Sequence, residues 1–148
     1  MEASDTARVL IVAHKTAATP ALIDAVRQRA ARGAASFSLL VPAPTHGLDR
    51  VTSADRADTS EADDVLALAL PLLSEAAGGP VEGIVGDPSP FEAIQDAVNV
   101  RGFDEIILST LPTTVSRWLR IDLPSRLAPL GLPVTTITAG AKIGRAHV

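Results

Sequence analysis

The chain has no cysteine, one tryptophan, one methionine and only 3% aromatic residues. No disulfide, thiol nucleophile or thiolate metal site can form, and bases have almost no aromatic platforms to stack on. Leu, Ile, Val and Ala must supply nearly all of the burial energy of a chain that is 47% apolar, at about 25 cal/mol per Å² of apolar area. No apolar run approaches the ~18 residues of a membrane span. The opening stretch, MEASDTARVLIVAH, lacks the basic start and long apolar core of a secretory signal. These absences lead us to expect a cytoplasmic protein. A surplus of positive charge is missing too. The net charge is −4 and the pI near 5.3, so the mean field repels nucleic acids and anionic membranes. The balance is uneven: residues 1–100 hold 14 acids and 7 bases, residues 101–148 hold 3 acids and 6 bases, which leaves room for a local basic patch.

The signatures of common nucleotide chemistry are also absent. The chain has no HxGH after its first strand, no SGGxDS loop, no GxxxxGK[ST] and no GxGxxG, so adenylyl transfer, ATP pyrophosphatase chemistry and P-loop hydrolysis have no support. No Ser, His and Asp fall in an order with a nucleophile elbow, and no carboxylate pair stands at a crevice position. His14, His46 and His147 are scattered without ligand spacing, so no metal site is expected.

What is present is a regular alternation of strand and helix patterns. RVLIVAH, 8–14, is a continuous β-branched and Leu run, the pattern of a strand covered on both faces. Thr19 is placed to cap a following helix with Pro20 in its first turn, Leu22, Ile23, Val26 and Ala30 on one face, and Gly33 as its stop. ASFSLLVPAP, 35–44, is the second strand. Residues 45–60 are polar and aperiodic and read as a surface loop. A helix over 61–79 sets Val65, Leu68 and Leu72 on one face, with Pro71 forcing a kink, a break or two helical pieces. VEGIVGD, 81–87, is the third strand. Asp87 is placed to cap a helix opening at Pro88 to Pro90, with Phe91, Ile94 and Val98 inward and Gly102 at its end. DEIILST, 104–110, is the fourth strand. A short helix around Leu123 to Leu130, capped by Asp122 or Ser125, leads to the fifth, LPVTTITA. Strands separated by helices on short turns pair in parallel with right-handed crossovers. The expected fold is α/β: an open, doubly wound, five-stranded parallel sheet with helices on both faces. Residues 1–139 read as one domain and 140–148 as a loose tail.

The stretch GDPSPFEAIQDAVNVRGFDEIILST, with Gly-Asp-Pro after the third strand, a helix, a Gly-aromatic-Asp turn and an Ile-rich strand, resembles the universal stress protein family. The element order and the ending helix, Leu-Pro-Val, strand are similar as well, and the resemblance covers residues 7–139. It implies strand order 3-2-1-4-5, an adenine nucleotide alpha hydrolase-like fold, a homodimer and a part in stress response. In one branch of the family it implies ATP or another adenine nucleotide bound between strands 1 and 4. That branch has an acidic residue after strand 1, and Gly-x-x-Gly with a later Gly-Ser or Gly-Thr after strand 4. Here strand 1 is followed by His14, Lys15 and Thr16, and Leu111 to Arg120 contain no glycine. Glycines would let main-chain N–H groups approach phosphate with no Cβ in the way, and Pro112 lacks its donor. The cofactor is therefore left open between an adenine nucleotide, another small anion and none.

The resemblance places a ligand crevice against Ala13, His14, Lys15, Thr16 and Val41 on one side and Ser109, Thr110, Thr113, Thr114, Ser116 and Arg117 on the other. Hydroxyls there can hold phosphate or ribose, with Arg117 and Arg120 giving charge-assisted bonds; equally, they can satisfy the loop's own backbone and cap a helix. Trp118 suits a packing or dimer anchor. The expected function is a non-catalytic binding or regulatory protein. The alternatives are a dimeric interaction module without nucleotide binding, pairing through Val134, Ile137 and Trp118, and a phosphate-ester hydrolase using His14 or Asp87.

Overall fold

The computed structural model describes residues 6–14, 16–43, 54–86, 89–110 and 123–138, with the backbone alone for 54–61. Its centre is β1 (Ala7–Val12). Every side chain from Val9 to Ala13 is fully buried, because the run has a strand neighbour on each edge and helices over both faces. β2 (Ala35–Pro42) and β4 (Glu105–Thr110) flank it, β3 (Val81–Gly86) and β5 (Val134–Thr138) form the rims, and the order β3-β2-β1-β4-β5 is parallel throughout. The expected architecture and strand order are those observed.

The two-residue period of the strands sorts the core into two layers. Val9, Ile11, Leu39, Val41 and Ile107 face α1 (Pro20–Arg32) and α2 (Ala54–Ala77). Leu10, Val12, Leu40, Ile106 and Leu108 face α3 (Pro90–Arg101) and the short α4 (Leu123–Arg126), which a 3-10 turn, Ala128–Leu130, extends. Leu22 and Val26 of α1 are buried, with Ile23 and Ala30 packed beside them, as the periodicity expects.

Several local expectations are corrected. Thr19 sits at the N-cap of α1 but its side chain does not cap; its hydroxyl donates instead to the Thr16 carbonyl at 2.9 Å. Residues 54–60 are helical rather than loop, and α2 runs unbroken through Pro71. The inward face of α2 is Ala62, Ala69, Leu73 and Ala76, while Leu68 is 65% and Leu72 38% exposed. Small residues at that spacing let the helix lie close to the sheet, which turns the larger leucines outward. The cap of α3 is Ser89, whose hydroxyl accepts from the Glu92 N–H at 3.5 Å, and Ser125 lies inside α4 rather than capping it. Asp87 and Asp122 lie outside the described residues.

The amino end of the sheet is pinned by polar contacts. Arg29, in the last turn of α1, grips Glu105 at the start of β4 in a fork of three bonds at 2.7, 3.0 and 3.1 Å. That hydrogen bonding raises the Arg29 pKa above its ordinary value against the opposing effect of burial. Asp104 accepts from the Arg8 N–H at 2.8 Å and returns its own N–H to the Arg8 carbonyl at 2.7 Å. The Arg8 guanidinium lies 5.7 Å from the Phe103 ring centroid. Gly102 ends α3 with φ of 79°, a left-handed conformation in which a side chain is strained. These contacts leave the carboxyl end of the sheet as the place where the strands part.

Candidate functional site at the carboxyl ends of β1 and β4

Strand order reverses at β1, whose successor in sequence, β2, lies on one side and whose other neighbour, β4, lies on the opposite side. Open α/β sheets set their ligands at such a switch point, because the connections leave in opposite directions. Pairing between β1 and β4 ends at Val12 with Leu108. The Ala13 N–H bonds to the Leu40 carbonyl of β2 at 3.2 Å, as the alternation of a parallel strand directs, while β4 continues beside β5 through Ser109 and Thr110, paired with Ile137 and Thr138. The seam between β1 and β4 lies just past their last shared rung.

A compact turn fills one side of this seam. The Ala17 N–H donates to the His14 carbonyl and the Thr19 N–H to the Thr16 carbonyl, both at 3.2 Å. The Thr19 hydroxyl adds its bond to the same Thr16 oxygen. Three hydrogen bonds thus fix a short turn that holds the Thr16 side chain against β4. Its Oγ1 lies 2.6 Å from Ser109 Oγ, and Thr16 and Ser109 are 3% and 1% exposed. Ser109 shares its strand face with Ile107 and so points toward α1. Thr110 points to the opposite face, the side of α3 and α4. It is 2% exposed, and its hydroxyl has no hydrogen-bond partner among the described residues. A buried hydroxyl left unsatisfied costs about 1–3 kcal/mol, so this atom calls for a partner.

Of the residues the sequence placed here, the structure brings together His14, Thr16, Ser109 and Thr110. Ala13 and Val41 are at the same end but fully sealed in the core, so they floor the site instead of presenting an open wall. Lys15, Thr113, Thr114, Ser116 and Arg117 lie outside the described residues, as do Trp118 and Arg120. Sequence reasoning missed the direct bond between Thr16 and Ser109 and the part of Thr19 in shaping the turn. The shared face of Ser109 and Ile107 is the one signal that could have suggested the first. Among the described residues no group of three metal-ligating side chains occurs, and no helix is long and apolar enough to cross a membrane.

This is the fold of the universal stress proteins. The universal stress protein of Archaeoglobus fulgidus superposes with a TM-score of 0.60 at 17% identity, over 88% of this chain and 93% of that one. A universal stress protein family member of Arabidopsis thaliana, solved with AMP bound, gives 0.62 at 12% identity, over 92% and 94%. A universal stress protein in complex with cAMP gives 0.57 at 13% identity, over 88% and 95%. No family model and no curated protein matches the sequence.

Proposed function

We propose that the chain is a divergent universal-stress-protein-like protein of the cytoplasm that binds, without turning it over, a nucleotide or other small anion in the seam between β1 and β4. The observation that carries this reading is the set of buried hydroxyls at the switch point where the pairing of β1 and β4 ends: Thr16 and Ser109 on one face of the sheet and Thr110 on the other, the last with no partner among the described residues. AMP and cAMP in structures of the same fold support it. In this reading the ligand meets hydroxyls rather than glycine N–H groups, and Lys15, Thr113, Thr114, Ser116 and Arg117, outside the described residues, are proposed as its further contacts. In this reading residues 1–139 form one domain and 140–148 a tail.

Isothermal titration with AMP, cAMP and ATP tests the reading. Saturable binding is expected, weakened by Arg117→Ala, with no phosphate released. Absence of saturation at millimolar nucleotide would remove it. A second reading concerns assembly. β5 is a rim strand with Thr135 and Thr136 exposed and Val134 and Ile137 half-buried, an edge suited to pairing with a second copy. If the homodimer forms there, Ile137→Lys makes a dimer monomeric in sedimentation.

A further inference from the structure

The seam is bridged. Beyond the rung of Val12 and Leu108 no backbone hydrogen bond joins β1 or its following turn to β4 among the described residues. The bond between Thr16 Oγ1 and Ser109 Oγ, 93 residues apart in sequence, crosses from the turn to β4. The two parts it ties are held separately: the turn by its own bonds to the His14 and Thr16 carbonyls, and Ser109 by its pairing with β5. Ala17 of the turn also packs in the apolar cluster that holds Ile107 of β4, a contact without the direction of a hydrogen bond.

We propose that this hydroxyl pair is a latch across the crevice, which must part before a ligand oxygen can take the place of one hydroxyl. The proposal rests on the binding reading above and adds a gate to it. Both hydroxyls are almost wholly buried, so a ligand cannot reach either oxygen from solvent while the pair is closed. Each hydroxyl is both donor and acceptor, so a phosphate or ribose oxygen can replace the bond that the partner gives up. The ligand then exchanges one buried hydrogen bond for another instead of desolvating a fresh pair. A neutral hydrogen bond suits this use, because its net strength is small enough for a ligand to displace. The affinity observed is reduced by the fraction of molecules in which the latch is open.

The absence of native cysteine makes a direct test available. In the double variant Thr16→Cys with Ser109→Cys, oxidation locks the two positions, verified by loss of both free thiols, and reduction frees them. Titration with AMP is expected to give saturable binding in the reduced protein, weaker than in the unaltered one because both hydroxyls are gone, and affinity at least about tenfold weaker again, or none, in the oxidised protein. Equal affinity in the two forms overturns the latch and leaves nucleotide binding standing. If the unaltered protein does not bind AMP, the binding reading is what fails, and if it binds but the reduced variant does not, the loss is that of the two hydroxyls. The latch is then decided by hydrogen exchange at the Ala17 and Thr19 amides, which close the turn. Acceleration of about threefold or more in Ser109→Ala supports it, and unchanged exchange refutes it.

Discussion

Gly86 ends β3 opposite Pro42, and its carbonyl accepts from the Ala43 N–H at 3.0 Å. A Cβ built there would lie 2.8 Å from Ala93 Cβ and 2.8 Å from Leu40 Cδ1. The Leu40 methyl is the end of a side chain, but it is fully buried and has little space to swing into. Ala93 Cβ is fixed to the backbone of α3, so Gly86→Ala can be accommodated only if the helix shifts away from the sheet. Overpacking of this kind costs about 1–3 kcal/mol. The narrower unfolded ensemble of alanine returns about 0.4–1 kcal/mol, so a net loss of roughly 1–2 kcal/mol is expected. With an unfolding entropy near 2.1 cal/mol/K per residue, that loss lowers the melting temperature by about 3–7 °C. Urea unfolding and calorimetry measure both quantities. Gly33→Ala is the control: nothing lies within 4 Å of its Cβ, and its φ of 162° is extended backbone that any residue adopts. It should leave stability unchanged or raise it slightly. Adding Ala93→Gly to Gly86→Ala removes the closest fixed contact and should recover part of the loss, although glycine in a helix costs about 0.5–1 kcal/mol by itself. A Gly86→Ala protein that melts with or above the unaltered one would refute the close-packing argument.

The hydroxyl pair lends itself to a double-mutant cycle. Ser109→Ala or Thr16→Val alone leaves a buried hydroxyl unsatisfied and should cost about 1–3 kcal/mol in urea unfolding, whereas the two together should cost clearly less than their sum; additive losses would show that the bond contributes nothing. Glu105→Gln keeps the shape of the fork to Arg29 but removes its charge, and should cost about 1–2 kcal/mol, since the pair is only partly screened; an unaltered denaturation midpoint would contradict that. Because the Arg29 pKa is raised in the folded chain, its contribution is complete below the ordinary arginine value and is lost only as pH rises through the higher folded one. A stability profile from pH 7 to 10 should therefore show no step from Arg29. Gly102→Ala forces a side chain into φ of 79° and should lose about 1 kcal/mol, with Gly79→Ala, which meets nothing within 4 Å, as the comparison.

Much of this fold is legible in the sequence because β1, β2 and β4 each hold an apolar core, VLIV, LLV and IIL, and each helix is punctuated by proline or glycine. The misreadings have a common origin in the choice between local and long-range signals. In α2, Val65, Leu68 and Leu72 make the stronger hydrophobic stripe on paper, yet only Val65 of the three packs against the core, and the fully inward face is Ala62, Ala69, Leu73 and Ala76, because closeness of approach outweighs side-chain size. Residues 54–60 look like loop by polarity, and their helix is part of a 24-residue element whose apolar half lies downstream. At α3, Asp87 and Ser89 are both competent caps by residue type, and only the placement of the first turn decides for Ser89. For the site, residue types at strand ends pointed to Thr16, Ser109 and Thr110, and the structure sets the first two in direct contact. The bond between two of them depends on the register of β1 against β4, which no local pattern contains.

The position of β1 between β2 and β4 also sets an order of events on the ribosome. β1, β2 and β3 emerge first and can pair with one another, closing the layer under α1 and α2 while the nascent chain is still short of its fourth strand. Leu10, Val12 and Leu40 then face water on the other side, and β1 keeps one unpaired edge, until residues 90–110 have been synthesised. Synthesis at about 5–20 residues per second makes that interval at least a second or so. The half-built sheet is thus the species most in need of a chaperone, and its hazard ends when β4 docks.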